Sequence, residues 1–199
     1  MPSDTATTTL QSLAVLRVQL PRYGDDVRLI SVADGCSQWI EHWTSRVFVT
    51  RTLTEYYDGT GTSVLRLRHF PVGSITTLTI LRNIDDTSAE TISSSDYRIV
   101  GATGNTSRLV LKGGDTFDAG VDNVTVTYSA GYGAKDATTL PADVIQAWYA
   151  LMQLTLDETN AGAMGASQVT LGPAGYTVKP SMPWQIQQML TPYRRVELL

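Results

Sequence analysis

At 199 residues, with 42% hydrophobic and 17% charged residues and a net charge of −4, the chain can bury a real core and has room for one large domain or two small ones. No apolar run approaches the length of a membrane span, and no cluster of lysine and arginine suggests a groove that grips nucleic acid. The single cysteine, Cys36, excludes an intramolecular disulfide framework, and the opening MPSDTATTTL lacks the basic and then apolar pattern of a secretory leader.

Residues 1–8 are small and polar and predict no fixed structure. From Thr9 to Leu20 the pattern LQSLAVLRVQL gives a short helix, ended by Pro21 and Gly24. Asp25 and Asp26 start a second helix that reaches Trp43. Leu29, Val32, Ala33, Cys36, Trp39, Ile40 and Trp43 fall within about a third of its circumference. Cys36 reads as a small apolar residue on that inner face, and Gly35 lies on the polar side. From Val47 the period changes to two. VFVTRTLTEYY reads as a strand, followed by a turn at Asp58-Gly59. Val64–Arg68 and Ile75–Arg82 are further strands, separated at Pro71 because proline cannot donate to a ladder. The polar region Asn83–Ser95 leaves room for a short strand at Glu90–Ile92. Ser95–Ile99, Arg108–Leu111 and Asn123–Tyr128 complete about six strands, with glycine turns between them.

The stretch Tyr128–Tyr149, YSAGYGAKDATTLPADVIQAWY, joins the β part to a helical part. Gly131 and Gly133 break the strand, and Pro141 opens a helix running to about Glu158, with Asp143 in its first turn. Asp143, Gln146, Gln153 and Asp157 form a narrow polar stripe; apolar residues cover the rest of the helix. That arc, with Trp148, Tyr149 and Met152 on it, fits two arrangements. One is a helix buried within its own domain; the other packs on its own core on one side and on another subunit on the other. Beyond it, Asn160–Gly165 is a glycine-rich flexible connector. Ser167–Lys179 has short β character, and Pro180 and Pro183 bracket a last helix carrying Trp184.

Catalytic motifs are missing from the sequence. His42 and His69 lie in different elements, and no HExxH, paired cysteines, phosphate loop or GxSxG elbow occurs. Asp115, Asp118 and Asp122 do not have EF-hand spacing and read as a solvated turn. Asn105-Thr106-Ser107 and Asn123-Val124-Thr125 fit the glycosylation pattern but lack a secretory leader to give it meaning. No catalytic, cofactor or metal site is expected.

Several stretches resemble the head–tail connector (adaptor) proteins of long-tailed double-stranded DNA phages and of related gene transfer agents. They are SQWIEHWTSR (Ser37–Arg46), LRLRHFPVGSITTLTILR, SDYRI, YSAGYG with LPADVIQA, and the ending LTPYRR. The blocks run in order from about Leu10 to the end, and none is a catalytic signature. The chain departs from the family pattern at Ser45, where glycine is usual before the arginine.

The sequence is therefore expected to give an α+β protein: a bundle of about four helices with an inserted small antiparallel β-sheet or sandwich. Its expected parts are the N-terminal helices at 1–46, an inserted β domain at 47–129, the long helix and connector at 130–165, and a C-terminal β/helix segment with a docking tail at 166–199. The resemblance implies a virion neck protein assembled in the host cytoplasm, forming a homo-oligomeric ring, dodecameric to match a portal. Genomic DNA would pass through without sequence-specific binding, and portal and stopper or tail-completion proteins would be its partners, with no membrane and no cofactor. It also implies that Trp184, Tyr193, Arg194 and Arg195 dock on the portal, since aromatic and arginine residues dominate interface energies. Trp148, Tyr149 and Met152 are the expected subunit contacts. The alternatives are a tail-side stopper or terminator ring, and a non-enzymatic β-rich binding module.

Overall fold

The computed structural model describes residues 8–82, 88–102, 107–160, 169–171, 174–176 and 182–194. The chain is α+β, with four α-helices and two antiparallel sheets of three or more strands among these residues. It divides into two compact units, 1–49 with 133–199, and 50–132.

In the first unit, helix α1 is Leu13–Gln19. It begins four residues later than its apolar pattern predicts because the preceding backbone is held elsewhere. The Leu10 carbonyl accepts from the Asp136 N–H at 3.1 Å, and the Ser12 N–H donates to Asp136 Oδ1 at 2.8 Å. Helix α2 is Asp26–Thr44. Asp25 caps it, accepting from the N–H groups of Val27 and Arg28, which have no partner inside the helix. At its end Ser45 takes φ 53°, a left-handed conformation that glycine usually supplies.

The buried stripe of α2 is Leu29, Ala33, Cys36, Ser37, Ile40 and Thr44. Trp39 and Trp43 were expected on it. Trp39 is instead 40% exposed, and Val32 and Trp43 are only half-buried. The stripe turns toward Ser37 and Thr44 because their hydroxyls donate back to the Ala33 and Ile40 carbonyls, at 2.8 and 2.7 Å. Neither hydroxyl then enters the core without a partner. Small residues at Ala33 and Ser37 also admit a large neighbour. Helix α3, Ala142–Asn160, packs on α2 with Trp148 fully buried and its indole N–H donating to the Ala33 carbonyl at 3.2 Å. The polar stripe of α3 is exposed at Asp143, Gln146, Gln153 and Asp157, as its spacing predicts.

Helix α4, Trp184–Leu190, packs on α3 through the buried Ile186 and Leu190 and runs into a 3₁₀ turn, Thr191–Tyr193. Residues 47–49, expected to open a strand, belong to this unit. Val47, Phe48 and Val49 are buried, and Val49 makes a single parallel bridge with Gly133. The connector expected at Asn160–Gly165 lies outside the described residues beyond Asn160. Two short strands follow it and pair antiparallel. They are numbered in chain order after the seven strands of the second unit, so Val169–Leu171 is β8 and Ala174–Tyr176 is β9.

The second unit contains β1 (Arg51–Gly59), β2 (Val64–Arg66), β3 (Val72–Ile80), β4 (Glu90–Thr91), β5 (Tyr97–Val100), β6 (Arg108–Leu111) and β7 (Gly120–Ala130). One antiparallel sheet has the order β1-β7-β3-β4, and the other β2-β6-β5. The sheets share one hydrophobic cluster, to which β7 gives Val124, Val126, Tyr128 and Ala130 at strict alternation. β1 and β7 close tightly at their far end. A Cβ on Gly59 would stand 1.7 Å from the Asp118 carbonyl oxygen, so only glycine fits there.

The outer face of the larger sheet has an unusual composition. Register places Thr52 beside Ser129, Thr54 beside Thr127 and Tyr56 beside Thr125. On the other side of β7, Thr77 lies beside Thr127 and Thr79 beside Thr125, and Thr91 lies beside Thr79. Each of these positions carries a hydroxyl and none carries a charge.

Candidate functional site

Three places gather chemically capable side chains. The first is inside the β unit, where Glu55 stands on the core side of β1 opposite Val126. Its Oε2 accepts from the Tyr57 and Tyr128 hydroxyls, and its Oε1 lies 3.5 Å from His69 Nε2. Each phenol oxygen also accepts a backbone N–H, Tyr57 from Arg68 at 3.0 Å and Tyr128 from His69 at 3.2 Å. Burial first, and then the Glu55 hydrogen bond, raises the Tyr57 phenol. Burial first, and then the Tyr57 phenol, raises that of Tyr128. Both are held neutral with donor and acceptor roles occupied, the opposite of an activated nucleophile. The group pins the turn at residues 68–69 to the sheet. Sequence reading passed over Glu55. The available signal was its phase: in the alternation of β1 it falls on the apolar side.

The second place is Arg82. Its guanidinium donates to Glu90 Oε2 and Asp115 Oδ2, each at 2.7 Å, and lies 3.6 Å from Asp118. Hydrogen bonding to Arg82 holds the Asp115 carboxyl below the usual range. An arginine thus occupies the centre of the acidic loop, and among the described residues no group of three or more ligands is arranged for a metal. Asn123, in the second glycosylation pattern, accepts from the Gly59 N–H and donates to the Asp118 carbonyl, each at 2.7 Å. Its amide is a structural pin. Asn105, in the first pattern, lies outside the described residues.

The third place is the C-terminal turn of the helical unit. Tyr193 folds back on its own unit. Its ring meets Phe48 edge-on at 6.0 Å, Arg46 sits 5.8 Å from its centroid, and its hydroxyl donates to Asp143 Oδ1 at 2.8 Å. Arg194 lies over the Trp43 ring at 5.2 Å. Trp184 is 66% exposed, and Arg195 lies outside the described residues. Of the expected docking set, Trp184 and Arg194 therefore present surface, and Tyr193 anchors the turn that carries Arg194. Of the expected subunit contacts, Trp148 and Met152 are fully buried within their own helical unit and present none. Tyr149 is half-buried, its phenol pushed up to about 12 first by burial. The partners that hold the turn, Trp43, Arg46, Phe48 and Asp143, come from segments far apart in sequence, and no local motif marks them.

No family model and no curated protein matches the chain. Solved structures share its fold. A chain of the "Neck of empty GTA particle computed with C6 symmetry" matches with a TM-score of 0.70 at 19% identity, over 98% of this chain and 94% of that one. A chain of the "Virion of native gene transfer agent (GTA) particle" matches at 0.69 and 19%, over 98% and 94%. A chain of the "Neck of native GTA particle computed with C12 symmetry" matches at 0.67 and 19%, over 100% and 95%. This chain thus has the fold of a chain found in gene transfer agent neck structures.

Proposed function

We propose that this protein is a structural, non-enzymatic component of a virion neck. It is an adaptor that forms a ring beneath the portal, extends the DNA channel and joins head to tail. The observation that carries this reading is the fold likeness to neck chains along 98% or more of the chain. One of those necks was computed with C12 symmetry, which supports a dodecameric ring. The order of the connector-like sequence blocks points the same way.

In this reading the helices form the bundle that carries the docking turn. Trp184, Arg194 and Arg195 meet the portal, and Tyr193 anchors the turn that carries Arg194. The half-exposed side of α3 around Tyr149 takes part in subunit contact, positioned from within by Trp148 and Met152. With a net charge of −4, the ring passes DNA without gripping it.

Cryo-electron microscopy of the full chain mixed with the portal of its own particle tests the reading, beside the double variant Arg194→Ala, Arg195→Ala. The expected result is a ring on the portal that the variant loses. A ring seated on tail tube and never on portal would assign the stopper role. No portal binding, with heads and tails still joining in particles that lack the protein, would overturn the reading.

A further inference from the structure

His69 stands where the chain crosses from the smaller sheet to the larger, in the turn between β2 and β3. Two backbone bonds hold that turn. The N–H groups of Arg68 and His69 donate to the phenol oxygens of Tyr57 and Tyr128, and both phenols donate in turn to Glu55 Oε2. Glu55 Oε1 faces the imidazole, 3.5 Å from His69 Nε2. Both side chains are largely withdrawn from water, Glu55 at 12% exposure and His69 at 29%. The contact is too long for a strong hydrogen bond, so a neutral imidazole gains little from it. An imidazolium at the same distance gains a charge pair that solvent screens weakly. The titratable and charged groups that the described residues of the β unit bring to this cluster are Glu55 and Tyr57 on β1, Tyr128 on β7, and Arg68 in the turn. Burial keeps both phenols neutral. Arg68 sets its guanidinium over the Tyr57 ring, 4.7 Å from the centroid. Glu55 is the carboxylate at ion-pair distance, so it favours the imidazolium, and the partial exposure of His69 limits the opposing cost of burial.

We propose that Glu55 and His69 form a proton-operated clamp on this crossing: an imidazolium at His69 ties the β2–β3 turn to β1, and loss of its proton releases that tie. Glu55 favours the charged imidazole in the folded chain only. The tie therefore contributes fully below about pH 6.5, where the unfolded chain also holds the proton, and is lost as pH rises through the folded titration. The two backbone bonds to the phenols persist across this range, because both phenols are raised and keep their protons past about pH 10. The turn is thus held twice, once by bonds that do not change near neutrality and once by a charge that does.

The test follows the histidine ring signals of the full chain by nuclear magnetic resonance from about pH 5 to pH 8.5, with His42→Gln leaving His69 as the only histidine. The same titration is run in urea and with Glu55→Gln added, and circular dichroism checks that each variant folds. The expected result is a folded His69 that titrates at least about half a pH unit above its value in urea, a difference that Glu55→Gln abolishes. In parallel, urea midpoints compare the wild type with His69→Gln, and the advantage of the wild type at about pH 5.5 should shrink by about pH 8.5. A folded His69 that titrates at or below its value in urea would overturn the inference, even if Glu55→Gln fails to fold. So would a difference that a folded Glu55→Gln chain retains, or a wild-type advantage equal at both pH values.

Discussion

Glu55 stands on the core side of a strand, where a carboxylate is unfavourable unless hydrogen-bonded. Two phenols supply the bonds. Glu55→Ala removes the carboxylate to which both hydroxyls donate, and should destabilise the β unit by about 2–3 kcal/mol in urea titration. The same geometry fixes a response to alkali. Both phenols are raised, so the folded chain keeps protons that the unfolded chain releases near pH 10. Their contribution is complete below about pH 10 and is lost as pH rises beyond it. The urea midpoint measured between pH 8 and pH 11.5 should fall at the high end, and less steeply in the double variant Tyr57→Phe, Tyr128→Phe. Cys36 gives a second check at this scale. Burial pushes its thiol up to about 11. Alkylation by iodoacetamide at pH 8 should therefore run at least about a hundredfold slower in the folded protein than in the urea-unfolded chain. An equal rate would show that the inner face of α2 opens readily.

At the scale of the element, two glycines should respond in opposite directions. Gly35 lies on the exposed side of α2, and a Cβ there meets nothing within 4 Å. Gly35→Ala should therefore raise stability by about 0.5–1 kcal/mol through the backbone freedom that alanine removes. Gly59, at the crowded end of β1, admits no Cβ without moving the Asp118 backbone. Gly59→Ala should cost about 2–3 kcal/mol. Denaturant midpoints of the two variants check both signs. The C-terminal turn needs the same care. Tyr193→Ala removes the edge contact with Phe48 and the Asp143 hydrogen bond together, so it should destabilise the helical unit by about 1–2 kcal/mol. Arg194→Ala gives up only a cation–π contact at the surface, about 0.5–1 kcal/mol. Portal binding lost in the second variant with little change in melting would isolate docking from folding.

For the molecule as a whole, the ring carries the proposed function, and a single chain shows only what it would bring to one. That includes a helical unit with Trp184 and Arg194 on its surface, and a β unit whose larger sheet has an uncharged outer face. The fold is shared with neck chains at 19% identity. Imaging on portal tests whether the surface that carries Trp184 and Arg194 is used.

The strand and helix order was legible along the chain, because periods of two and 3.6 survive in β1, β7, α2 and α3. The polar stripe of α3 was legible for the same reason. What the pattern could not rank was which of several apolar residues faces the core. Trp39 has the right phase and still lies outside, because the stripe turns toward buried Ser37 and Thr44, which close their hydroxyls on α2 itself. Strand starts were displaced for a similar reason. Val47–Val49 alternate like a strand, but Val49 makes only a single bridge, with Gly133 in the helical unit. The Glu55 cluster, the Arg82 centre and the Tyr193 anchor join residues far apart in sequence. Sequence periodicity determines which elements form. Only tertiary structure decides which side chains meet, because those contacts depend on volumes and hydrogen-bond partners that no local window contains.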